Sequence, residues 1–387
     1  MPELDLSLTQ RGLVTNAHYL RETHMRLRAI KSGVATQLII LLLGDSWVQG
    51  NYWSTYFAKA LHDAFGMAGV GFVGFAFFAP LTGGPWVDGG TQPTGRIDGN
   101  ARPDLVAAPT LIGNWTSVYN SAGTNTPTLG LIYSATAGDR VKFSFPAGHT
   151  SSRLFYNGSS SYGSGASVVR YSWDGGATWQ TSITLTYNGA GQADMANTPA
   201  GAGTLILEVV SGTVALAGVD MKSTATGVRV HKLGISGGST LQLGNTNNVW
   251  PANLAALSPH LFIHGGITND RVANFDPAST YVSQMTTALT RLRTASAYAD
   301  VLLTAPPENQ YVGATYPTAQ YTAALRALAR TQKCAFLDHQ PNFGDVVADY
   351  AWTNANRQWM GSDLIHPVAA TGGAVLANGV LEAVLPR

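Results

Sequence analysis

The chain has 387 residues, too many for one ordinary domain, and 45% of them are apolar, enough to bury a large core. Only 12% are charged and the net charge is +1, which removes the electrostatic case for nucleic acid or an anionic membrane surface as partner. A single cysteine, Cys334, excludes an intrachain disulfide framework and a cysteine-built metal site; within "KCAFLD" it reads as an inert core thiol.

The first twenty residues carry no basic stretch followed by an apolar one, so no secretory leader is visible. No apolar run approaches the ~18 residues that span a bilayer. Residues 12–31 have helix-compatible spacing. "TQLIILLL" then reads as a fully buried strand and "YWSTYFAKALHDAFG" as a helix closed by Gly66. Strand, tight turn and helix make the opening half of an α/β unit.

From about Thr82 the texture changes to short apolar and aromatic runs between Gly, Asn and Ser. "DRVKFSF", "SSRLFYNG", "SVVRYSWDGGATWQTSITLTYNG" and "GTLILEVVSGTVALAGVDM" are spaced as in an antiparallel sandwich. Asp174-Gly175-Gly176 carries a hairpin signal. After about Val230 strand and helix alternate again. "HLFIHGG", "DVLLTAPP" and "CAFLD" read as strands. "YVSQMTTALTRLRTAS", "YTAALRALARTQ" and "AATGGAVLANGVLEAVL" read as helices, the first with Val282, Met285, Leu289 and Leu292 on one face. The expected organisation is a discontinuous α/β domain, residues 1–84 and 230–387, interrupted by an antiparallel β-sandwich over 85–229.

Catalytic groups in open α/β sheets gather past the carboxyl ends of the strands. Four stretches fall there: "GDS" with Ser46, "GISGGST" with Gly237 and Gly238, "HGGITND" with Asn269, and "SDLIHP" with Asp363 and His366. Taken singly each has a bland account, since Ser46 and Asp363 suit helix caps, Asn269-Asp270 suits a turn, and His366 before Pro367 suits a loop. Their joint order at four strand ends suits a serine hydrolase. A serine hydroxyl needs a base, an imidazole such as that of His366 can accept its proton, and Asp363 three residues earlier can hold the imidazole in one tautomer. The Ser46 amide, one glycine amide and the Asn269 side chain would receive the oxyanion. His264 lacks a suitably spaced carboxylate, and His339 directly follows Asp338, a spacing at which side chains diverge.

These four blocks resemble the SGNH (GDSL-type) hydrolase superfamily, with one departure: Gly266 stands three residues before Asn269 where the family has two. The resemblance implies a flavodoxin-like three-layer α/β/α fold interrupted by a jelly-roll-like insert. It also implies Ser46 as nucleophile, His366 as base, Asp363 as its orienter, Gly237 and Asn269 as oxyanion donors, and neither metal nor cofactor. The inserted sandwich resembles a branch that removes O-acetyl groups from polysaccharide or peptidoglycan, including bacteriophage tail proteins. Trp47, Trp352 and Trp359 are expected to line the site, packing in its wall as readily as touching substrate. Trp86, Trp115, Trp173 and Trp179 are candidates for stacking on sugar or for filling the sandwich core.

The expected activity is therefore removal of O-acetyl groups from a carbohydrate through an acetyl-Ser46 intermediate. A short-chain lipase or thioesterase, and a virion adhesin with a vestigial site, are the alternatives. The expected partner is acetylated polysaccharide or peptidoglycan, with self-association and virion attachment left open. An extracellular or virion location fits the composition, and the missing leader fits a cytoplasmic one equally.

Overall fold

A computed structural model describes residues 14–78, 96–158, 162, 166–185 and 189–386. Six strands form one sheet, in the order Val14–Thr15, Ala335–Asp338, Asp300–Ala305, Leu261–Gly265, Gln37–Gly44, Gly227–Gly234. The edge strand Val14–Thr15 runs antiparallel and the other pairs are parallel. Ranked along the chain, the parallel strands stand 2-1-3-4-5, the flavodoxin-like order.

The apolar run at Leu38 follows from burial on both faces of this sheet. Ile39, Leu41 and Leu43 enter a core with Met285, Leu289 and Leu325, from the helices Val282–Ala295 and Thr318–Thr331. Leu38, Ile40 and Leu42 enter a second core with Leu27, Phe57 and Val380, from the helices Arg21–Lys31, Ser54–Phe65 and Ala374–Val384.

Two antiparallel sheets, one of five strands and one of seven, occupy the middle of the chain. Val141, Phe143, Leu205 and Leu207 of the first meet Val73, Leu154, Leu216 and Val219 of the second in a core of their own. The seven-stranded sheet is apolar on its other face too, where Phe72, Phe155, Ala215 and Ala217 join Leu233 and Trp250 of the α/β layers. The antiparallel region is thus joined to the α/β layers by a shared core as well as by chain crossings.

Several elements differ from expectation. Gly71–Phe78 pairs with Val214–Lys222, with Gly74 opposite Gly218, so the antiparallel region begins at residue 71 and not 85. The parallel sheet resumes at Gly227, not 230. A continuous apolar strand such as "GFVGFAFF" does not encode which sheet it joins. Asn16, in the left-handed region at φ 60°, separates the strand Val14–Thr15 from a helix that starts only at Arg21. Asp174-Gly175-Gly176 is a closed turn, because Asp174 Oδ1 accepts from the Ser172 hydroxyl and from the Thr178 amide. The strands Ser167–Ser172 and Ile183–Leu185 are consequently joined by the whole loop 173–182 and not by a tight hairpin. Cys334 is buried, and burial pushes its thiol up to about 11, keeping it unreactive.

Candidate active site

The strand Gln37–Gly44 ends in a turn that requires glycine. Gly44 has φ +155°, and a Cβ there would lie 1.8 Å from the Gly265 carbonyl oxygen. Asp45 follows in extended conformation and caps the short helix Ser46–Gln49, its Oδ1 accepting from the Trp47 amide at 2.9 Å. Ser46 therefore stands at a sharp corner past the strand end, on the sheet's first parallel strand, whose neighbours on either side lead off in opposite directions of the topology.

Ser46 Oγ lies 2.7 Å from His366 Nε2, and His366 Nδ1 lies 2.6 Å from Asp363 Oδ2. The segment carrying the last two is a turn, not helix: Leu364 is left-handed at φ 65°, and Asp363 Oδ1 accepts from the Ile365 and His366 amides at 3.0 and 2.9 Å. Burial pushes the Asp363 carboxyl up, but its bond and charge contact with His366 and these two amides outweigh burial and hold it below the usual carboxylate range. An ionised Asp363 accepts from Nδ1–H, which leaves the Nε2 lone pair facing the Ser46 hydroxyl.

Gly237 is left-handed at φ +71°. The neighbouring Gly238 amide donates to the Ile235 carbonyl at 2.8 Å, so of the two candidate glycines it is the Gly237 amide that is not used in this turn. Asn269, on the helix Thr268–Val272, donates from Nδ2 to the Gly238 carbonyl at 3.0 Å and ties the two loops together. Its amide carries a second N–H for another acceptor. Gly266 packs on Asp45, where a Cβ would lie 3.1 Å from Asp45 Oδ2, which accounts for a glycine three residues before Asn269.

The tryptophans divide. Trp47 is a core residue and not a substrate-facing one: it is buried with Trp53 and Leu376, beside a cavity of about 20 Å³ also lined by Gly265, Gly266 and His339. The helix that begins at Ser46 turns the next side chain inward. Trp359 is half-buried, edge-on to Phe343 and under the Arg357 guanidinium, whereas Trp352 is exposed. Trp173 is in the antiparallel core, and Trp179 lies 4.1 Å beneath the Arg170 guanidinium. Trp115 donates from Nε1 to the Arg140 carbonyl at 3.1 Å. Trp86 lies outside the described residues. His264 and His339 are buried, and burial pushes them down to about 4 and about 3, so both are neutral and remote from the role of base.

Some residues around the site escaped the sequence reading. Asp45 and Asp270 are both buried, and burial pushes each up to about 7, in Asp45 with the further push of Asp270's charge. Asp270 adjoins Asn269, and its neighbourhood was a visible clue. Lys232 is fully buried and donates to the Gln49 carbonyl and to Asn51 Oδ1; a lysine inside "GVRVHKLG" was its signal. Tyr119 and Asn120, from the antiparallel region, hold the Gly237 loop. The Tyr119 hydroxyl accepts from the Ser236 amide at 2.9 Å, and Asn120 Nδ2 donates to the Gly237 carbonyl at 3.0 Å. Nothing local in the sequence marks that pair.

Residues 215–371 match the GDSL-like lipase/acylhydrolase family, a span that holds Gly237, Asn269, Asp363 and His366 but not Ser46. The chain is similar in structure to a peptidoglycan O-acetylesterase, with a TM-score of 0.69 at 18% identity over 96% of this chain and 97% of that one. At that identity the likeness carries the fold. A family two carbohydrate esterase from Clostridium thermocellum, in an active-site mutant form, is a more distant resemblance, with a TM-score of 0.31 at 13% identity over 70% of this chain and 97% of that one. No curated protein sequence matches the chain.

Proposed function

We propose that the protein is an SGNH-type, GDSL-like carboxylic-ester hydrolase that removes O-acetyl groups from a bacterial polysaccharide or peptidoglycan through an acetyl-Ser46 intermediate, a reading supported by the family match over residues 215–371 and by the fold. The observation that carries this reading is the continuous hydrogen-bonded row from Ser46 through His366 to Asp363. Ser46 Oγ attacks the acetyl carbonyl carbon while its proton passes to His366 Nε2. The resulting imidazolium is balanced by Asp363, and the carbonyl oxygen becomes an oxyanion. The Ser46 and Gly237 amides with Asn269 Nδ2 are its donors in this reading. Collapse breaks the bond to the sugar oxygen, which takes the proton from His366 and leaves as the alcohol. Water, deprotonated by the same imidazole, then releases acetate and restores Ser46.

One feature favours an acetyl group on a carbohydrate. The full-length structural likeness is to an enzyme described as a peptidoglycan O-acetylesterase. The test is acetate release from O-acetylated peptidoglycan and a panel of acetylated polysaccharides, with mass spectrometry of the quenched enzyme to find the acetyl group on Ser46. Acetate release and a labelled Ser46 are expected. Turnover that rises with acyl length on nitrophenyl esters, or a wild-type rate no faster than that of Ser46→Ala, would overturn the reading.

A further inference from the structure

The base of the proposed reaction has a neighbour that the row of hydrogen bonds does not use. The Tyr52 ring lies against the His366 ring, nearly parallel at 21° with centroids 5.3 Å apart, and is itself buried. Offset parallel contact at this distance is a favoured arrangement for two flat rings. The contact changes character during turnover. In the resting enzyme it joins two neutral rings, and once Ser46 has given up its proton it joins an aromatic face to an imidazolium cation. The negative face of a phenol ring attracts a cation within about 6 Å of its centroid. A contact that strengthens as charge develops lowers the barrier, whereas one of constant strength does not.

The backbone around Tyr52 is held from both sides. Asn51, immediately before it, is left-handed at φ 60°, and its Oδ1 accepts from Lys232 Nζ at 2.7 Å. Lys232 Nζ also donates to the Gln49 carbonyl at 3.0 Å, so one buried side chain fixes the segment between the Ser46 helix and Tyr52. On the other side Gly373 packs directly on Tyr52, where a Cβ would lie 2.0 Å from the Tyr52 carbonyl oxygen. The strand Gly227–Gly234 and the turn before the terminal helix thus converge on the backbone that carries the Tyr52 ring.

We infer that Tyr52, held by Lys232 through Asn51, is a positioning residue whose ring face orients His366 and stabilises the imidazolium formed during acyl transfer. The inference rests on His366 being the base, as proposed above. It assigns the buried Lys232 of the strand Gly227–Gly234 a role, and it accounts for a glycine at 373.

The experiment is steady-state hydrolysis of nitrophenyl acetate by Tyr52→Phe, Tyr52→Leu and Lys232→Met, with His366→Ala as reference. Tyr52→Leu is expected to lose about three- to thirty-fold in kcat with KM little changed. Tyr52→Phe keeps the ring face and is expected to stay within about threefold of wild type. Lys232→Met should fall in the same direction as Tyr52→Leu, by a smaller factor. Phenylalanines of increasing ring fluorination at position 52 supply the readout that packing alone would not move, because fluorine drains the negative face and leaves the shape nearly intact. A stepwise fall in kcat along that series supports the inference, and it stays legible if Tyr52→Leu fails to fold. A flat series beside an inactive His366→Ala overturns this inference alone. A His366→Ala enzyme with the wild-type rate overturns the proposed reaction itself.

Discussion

The strands Gln37–Gly44 and Arg140–Phe145 bury their side chains in opposite ways. In the first, every residue after Gln37 is buried, and successive side chains enter two different cores. In the second, Val141, Phe143 and Phe145 point inward while Lys142 and Ser144 are exposed. A strand covered on both faces must bury and pair any polar group along its length, as Gly227–Gly234 does with Lys232 and His231, so groups that face substrate stand only where such a strand ends. Ser46, Gly237 and Asn269 all lie just past such ends. A strand with one wet face can carry polar groups anywhere along it. Arg140 and Arg170 do so, and both pair with Glu208 on the strand Gly203–Ser211 between them. The lesson is that the placement of a polar group relative to a strand's end separates chemistry from surface.

The most forceful way to break this contrast is to remove one group from each kind of place. Ser46→Ala and His366→Ala are each expected to lose about 10⁴-fold or more in kcat. Asp363→Ala should lose less than either, since that carboxylate orients the imidazole and balances its charge without exchanging a proton with substrate. Arg170→Ala, which removes a guanidinium from the antiparallel region, should stay within about twofold of wild type, because the buried Glu208 keeps Arg140 as its partner and the pair lies outside the Ser46–His366–Asp363 row. Ester hydrolysis by the purified variants decides the matter. An Arg170→Ala enzyme as damaged as Ser46→Ala would end the distinction.

The contrast also explains what could be read in advance. The parallel sheet was legible because burial on both faces writes long apolar runs, and because the turn chemistry at the ends of those runs is short and local. Ser46 lies in such a turn, whereas Asp363 and His366 lie well past the last strand, Ala335–Asp338, and were legible from their own spacing. The five-stranded sheet was legible by alternation, as at Arg140–Phe145. Sheet membership was not: Gly71–Phe78 is as apolar as a parallel strand because it too is buried on both faces, between the antiparallel core and the α/β layers. For Trp47 adjacency to the nucleophile left wall-packing and substrate contact open, and helix geometry at Ser46–Gln49 sends the side chain into the core. Tyr52, Tyr119 and Asn120 act through contacts to residues far along the chain, which no local spacing records.

Tyr119 offers a finer test, since it is where the antiparallel region reaches the chemistry. Its hydroxyl accepts the Ser236 amide beside Gly237. Tyr119→Phe leaves that half-buried amide unpaired, a penalty of about 1–3 kcal/mol that the Gly237 loop can relieve by shifting. The expected result is a kcat lower by about tenfold, with KM changed less and overall folding retained. Asn120→Ala, which frees the Gly237 carbonyl, should act in the same direction by a smaller factor. If both variants keep wild-type kcat, the antiparallel region contributes to substrate binding or to stability and not to the oxyanion loop.

The smallest expected effect concerns the junction itself. His231 is fully buried there, and its Nδ1 accepts from the Phe72 amide at 3.1 Å across the boundary between the two regions. An acceptor nitrogen carries no proton, so the ring is neutral, and burial pushes it down to about 3, against the opposing pull of Asp220. The folded state therefore binds its proton less readily than the unfolded state, whose histidine titrates near 6.5. The stability that His231 contributes is complete above that value and is lost as the pH falls through 6.5 toward 3. By pH 5.5 the loss is about 1 kcal/mol, worth a degree or two in Tm for a chain of this size. Asp45 and Asp270, raised to about 7, act with the opposite sign: their contribution is complete below about 4 and fades as the pH rises through 7. The two trends offset one another in the wild type, so its own Tm profile does not isolate the histidine. His231→Asn does, because the amide oxygen can still accept from Phe72 but does not titrate. Calorimetry at pH 7.5 and 5.5 should find the variant losing less Tm on acidification than wild type, and equal losses would mean that the junction is held without His231.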